Sequence, residues 1–193
     1  MSERKKTVIL ALCLLLIIEA GFCVWEYIIR PKANLCDNPY GITIHCKDED
    51  LLKECLSEMD KLPPSLLERF KQKKWALFVG DGYLKDVRMQ FNNDKIMGMT
   101  RTACNEILVS SPEEIAHEFG HFLYITLDAP NAFHVVYEKD ASAANMPSYF
   151  TADDPEYFAE SFAYYINRID VFDGIEETKA YFENLQRNGW VLV

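Results

Sequence analysis

His117-Glu118-Phe119-Gly120-His121 sets two imidazoles four residues apart, with a carboxylate beside the first. Residues four apart share a helical face, so both rings can reach one cation about 2.0–2.1 Å from each nitrogen. Glu118 stands one position round, a poor ligand but well placed to take a proton from a water next to that cation. The H-E-x-x-H pattern therefore points to zinc-assisted hydrolysis of a peptide bond. A zinc of that kind needs a third protein ligand and one open position. The metzincin continuation is closed, because Tyr124 and Leu127 occupy its glycine and histidine positions. A carboxylate from another helix is the alternative. Glu156-Tyr157-Phe158-Ala159-Glu160-Ser161-Phe162 offers Glu156 and Glu160 on one helical face. One can bind zinc while the other holds a ligand histidine through its second nitrogen, and spacing alone does not say which. His45 and His134 have no partner at metal spacing and read as structural or surface residues.

These groups act together only if helices hold them. Ser111 suits an N-cap, Pro112 the first helical position, and Glu113 and Glu114 the positive end of a helix dipole, which predicts a helix over 112–127. Asp154-Pro155 repeats that signature and opens a helix over 155–169. Helical spacing also marks 48–59, a helix opened by Pro63-Pro64, 132–139 and 176–187, the last ending near Gly189. Trp75 to Val79 reads as a strand, followed by a Gly80-Asp81-Gly82 turn. Weaker strand signals fall on 87–91, 97–102 and 106–110. Strands come early and helices mostly late, so the class is α+β.

The chain has 193 residues, 49% of them hydrophobic, and a formal charge of −10. That supports one packed domain and argues against nucleic acid as a partner. Arg4, Lys5 and Lys6 precede an apolar stretch, Thr7 to Ile29, long enough as a helix to cross a bilayer of roughly 30 Å. The expectation is a membrane anchor over 1–30 with the domain 31–193 outside the cell membrane. The alternative is a cleaved signal peptide with its apolar core at Val8 to Ile18 and release of a secreted domain. Cys36, Cys46, Cys55 and Cys104 lie in the exported part, where two disulfides and buried free thiols are both open.

H-E-F-G-H followed by E-Y-F-A-E-S-F resembles the catalytic domain of anthrax lethal factor and the related Pro-Pro endopeptidases, a family of zinc metallopeptidases. The resemblance implies a zincin-like domain with a small mixed sheet, an active-site helix, a bound Zn2+ and protein or peptide substrates. Carried onto this chain, it makes His117, His121 and Glu156 the zinc ligands, Glu118 the general base and Glu160 the support of a ligand histidine. It also makes Tyr149 the phenol that points at the metal. Gly98-Met99-Thr100-Arg101-Thr102 resembles the edge strand that holds substrate in that family. Two other readings stand beside it: a catalytically silent, membrane-tethered binding or immunity module on the same fold, and a thermolysin-like enzyme.

Overall fold

A computed structural model describes residues 34–127 and 130–191. The apolar segment expected to anchor the chain lies outside them. Cys36–Val193 form one compact unit. Among the described residues, no helix is long and apolar enough to cross a membrane.

Four short strands make one sheet: β1 (Thr43–Cys46), β2 (Ala76–Val79), β3 (Gly98–Arg101) and β4 (Glu106–Val109), in the order β1-β2-β4-β3. The first three in that order run parallel and β3 runs antiparallel to β4, so the sheet is mixed and β3 is an edge. Parallel strands covered on both faces read as unbroken apolar runs, which is the character of Ala-Leu-Phe-Val in β2. Side chains alternate between faces. Ile44, Leu77, Val79, Ile107 and Val109 enter the main core, whereas Phe78 and Leu108 pack on the far face with Leu84 and Val87. β1 carries no signal strong enough to be anticipated. Ile42-Thr43-Ile44-His45-Cys46 is too short to show a period, and only its pairing with β2 fixes it as a strand.

Seven α-helices occur among the described residues: α1 (Glu49–Met59), α2 (Pro64–Gln72), α3 (Lys85–Phe91), α4 (Glu114–Thr126), α5 (Pro130–Asp140), α6 (Asp154–Asn167) and α7 (Glu176–Arg187). Asp48 caps α1 through hydrogen bonds from Asp50 N and Leu51 N, and Pro64 occupies the first turn of α2. The strand expected at 87–91 is instead α3. Val87 turns into the small far-face cluster while Met89 and Phe91 stay exposed, and Asn92 ends the helix in the left-handed region. The anticipated cap on α4 also differs, because Ser111 Oγ bonds the Glu113 carboxylate and no side chain caps that helix.

The core is aromatic. Phe70, Phe119 and Phe122 meet under the sheet, with ring centroids 4.9 and 5.1 Å from Phe70. Phe133, Phe158 and Phe182 join α5, α6 and α7. Trp190 packs edge-on against Phe162 at 5.4 Å. Its carbonyl accepts a hydrogen bond of 2.5 Å from Arg69 Nη2, and Gly189 O accepts another from Ser65 Oγ at 3.1 Å, so α2 holds the end of the described chain. Cys46, Cys55 and Cys104 are free thiols, and Cys36 Sγ donates to Cys46 O at 3.4 Å. Of the two readings open for Cys36, Cys46, Cys55 and Cys104, the pair of disulfides is not formed.

Candidate metal centre

α4 and α6 press together at Gly120. A Cβ there would lie 2.7 Å from Ala159 Cα and 2.9 Å from Ala159 O, so only glycine permits this approach. The consequence is that the histidines of one helix face the carboxylates of the other. His117 Nε2 and His121 Nε2 lie 3.1 Å apart. Glu156 Oε2 is 3.5 Å from His117 Nε2, and Glu156 Oε1 is 3.6 Å from His121 Nε2. Ligand atoms of these three residues all fall within 4.8 Å of one another. Bonds of about 2.0–2.1 Å to a tetrahedral ion separate its ligand atoms by roughly 3.4 Å, so the observed spacings suit such an ion. Glu156 Oε2 is buried and makes no hydrogen bond, an arrangement that is costly unless a cation completes it. Donor types and the orphaned oxygen both fit a bound metal cation.

The supporting contacts come from the chain around the cluster. Glu160 Oε2 lies 3.0 Å from His117 Nδ1, which fixes the ring with Nε2 toward Glu156. Glu156 is placed by the first turn of α6, where Asp153 Oδ1 accepts its backbone N–H at 3.0 Å. The expected cap was Asp154; the residue before it performs the task, because its extended backbone lets the carboxylate fold over the helix end. Asp153→Ala is expected to cost about 1 kcal/mol of stability in urea denaturation, without changing the slope of the transition.

Charges in the cluster are strongly coupled. Burial favours a neutral His117, but the carboxylates of Glu156, 3.5 Å from Nε2, and Glu160, 3.0 Å from Nδ1, override it and lift the ring to about 10. Burial, and then the neighbouring His117, push His121 down to about 4. Glu156 is held below the usual carboxylate range: burial opposes ionisation, yet the two imidazoles prevail. The cage therefore demands one positive charge, which a proton or a metal cation can supply.

Glu118, only 4% exposed, leans the other way toward β3. Thr100 Oγ1 donates to Glu118 Oε2 at 2.6 Å. Burial raises the carboxyl to about 7, with His117 and Thr100 opposing the shift. A cleft of about 710 Å³ opens over the cluster, walled by Ile96, Met99, Ile125 and Phe150 besides the residues already named. Tyr149 is 65% exposed at its rim, with its hydroxyl 3.5 Å from Glu156 Oε1. The Phe150 ring meets His117 edge-on at 5.6 Å.

His117, Glu118, His121, Tyr149, Glu156 and Glu160 are thus brought to one place. His134 is elsewhere, exposed, and paired with Asp154 at 2.7 Å and Glu138 at 3.3 Å. His45 is buried against Phe78, with its ring stacked at 4.5 Å. Sequence reasoning placed Gly98 and Thr100 on a substrate-holding edge strand but missed their contact with Glu118, and it missed the Asp153 cap. Gly98 and Thr100 stand two apart on a strand expected to be an edge, so a shared face was predictable, although what that face would meet was not.

The fold and site together describe an α+β domain carrying a buried His–His–carboxylate cluster at the floor of a cleft. Residues 40–178 match the family described as anthrax toxin lethal factor, N- and C-terminal domain, and the chain belongs to that family. No curated protein matches the chain at a significant level.

Proposed function

We propose that this chain is a zinc-dependent endopeptidase with a zincin-type catalytic domain over residues 31–193, tethered outside the cell membrane by residues 1–30. The observation that carries the reading is the convergence of His117, His121 and Glu156 within 4.8 Å, from two helices separated in sequence. Those three residues would hold the metal, with Glu160 steadying His117. Zinc, when bound, supplies a Lewis acid that polarises the scissile carbonyl and acidifies water to a pKa of about 7. Glu118 takes the proton of the attacking water and passes it to the leaving amine. Tyr149 keeps its phenolic proton, because burial and then the charge on Glu156 raise its pKa, and the hydroxyl donates to the developing oxyanion. Protein or peptide substrates lie along the cleft, beside the edge strand β3.

Metal analysis and a peptide-library cleavage profile test this reading. One zinc per chain and cleavage abolished by a chelator are expected; a zinc-free chain, or a zinc-loaded chain inert against the library, sinks it. Proton linkage gives a second check. His117 holds its proton in the metal-free fold until about pH 10, so zinc must displace it. The apparent affinity should rise about tenfold per pH unit between about pH 5 and pH 7, with one proton released per zinc. Calorimetric titration in two buffers of different ionisation enthalpy measures that proton.

A further inference from the structure

Side chains on β3 alternate. Met99 packs on the far face of the sheet with Phe78, Leu84, Val87 and Leu108. Gly98 and Thr100 therefore share the opposite face, toward α4. Both meet the same residue there. Thr100 Oγ1 lies 2.6 Å from Glu118 Oε2 and 3.1 Å from Glu118 O. Both partners are acceptors, so the single hydroxyl proton goes chiefly to the nearer carboxylate. At Gly98, a Cβ would come 2.3 Å from Glu118 Oε1 and 2.9 Å from both Cγ and Cδ. One position clamps the carboxylate and the other leaves it room.

We infer that Gly98 and Thr100 are positioning residues that fix the Glu118 carboxylate against β3, so that its orientation is set by the edge strand as well as by its own helix. The inference rests on the assignment of Glu118 as the base. A carboxylate on a long side chain has three torsions to restrain, and packing against a glycine backbone plus one short hydrogen bond restrains its far end. Misplacing a catalytic group by about 1 Å can cost 10²-fold in rate, which sets the size of effect to expect.

The test uses the full chain and the library peptide that the wild type cleaves fastest. Thr100→Val keeps the shape and removes the donor. It is expected to lower kcat roughly ten- to hundredfold, with KM, zinc content and thermal midpoint close to wild type. Thr100→Ser, which restores the hydroxyl, should return kcat to within about threefold. Gly98→Ala, which drives a methyl into the carboxylate, should lower kcat by about 10²-fold with zinc still bound. If Thr100→Val cleaves as fast as wild type, or Val and Ser variants are equally slow, the positioning role is overturned while the peptidase reading stands. If the wild type itself cleaves nothing, both are overturned.

Discussion

Replacing Glu118 with glutamine is expected to lower kcat by about 10²–10⁴-fold with one zinc still bound, and the metal-free variant is expected to melt higher than the metal-free wild type. The loss follows from the role: an amide of the same shape cannot take the proton of the attacking water. The gain follows from burial. A carboxyl whose pKa rises to about 7 on folding resists ionisation in the native state but not in the unfolded one. It lends stability below the unfolded value near 4.5 and forfeits it as pH climbs to about 7. Glutamine carries no such liability, so the difference in thermal midpoint should be small at acid pH and grow toward pH 8. Kinetics, metal analysis and calorimetry at two pH values separate the outcomes. A variant that keeps wild-type kcat would remove Glu118 from the chemistry.

Gly120→Ala tests the frame rather than the chemistry. Two effects oppose one another. Alanine is better than glycine inside a helix by about 1 kcal/mol. Against that, the added methyl meets Ala159 Cα at 2.7 Å and its carbonyl at 2.9 Å, and both are backbone atoms that cannot rotate away. Overpacking of this kind typically costs about 1–3 kcal/mol, and an encounter with backbone belongs at the upper end. The clash should win. Since α4 carries the imidazoles and α6 the carboxylates, prising them apart should also weaken zinc binding at least tenfold. Urea denaturation and competition with a chromogenic chelator measure the two effects. A stabilised variant with full zinc affinity would show that the helices do not rely on this contact.

Much of the arrangement was legible in the residues. The helix of the histidine pair was marked by proline and acidic residues at its start, and the helix of Glu156 by Asp-Pro, so both lay within two residues of their expected bounds. The edge strand at 98–101 and its partner at 106–109 were also visible. What escaped was structure that tertiary contact decides. Segment 87–91 carries Val, Met and Phe, which suit a strand, yet only Val87 is buried, and hydrogen bonds from Arg88 to Ile96 O and Asp81 help fold it as a helix. β1 is defined by its neighbour alone. In the cluster, the i, i+4 spacing placed Glu156 and Glu160 on one face but left their contacts open. Only the helix crossing puts Glu160 beside Nδ1 of His117 and Glu156 beside Nε2.

The grip of α2 on residues 189 and 190 bears on when the domain can be completed. Arg69 and Ser65 reach partners more than a hundred positions downstream, and Trp190 closes over Phe162 and Tyr165. Contacts this distant in sequence require large loops to close before they repay the entropy spent. During synthesis, the early strands and helices must wait with apolar surfaces uncovered until the last turn has emerged.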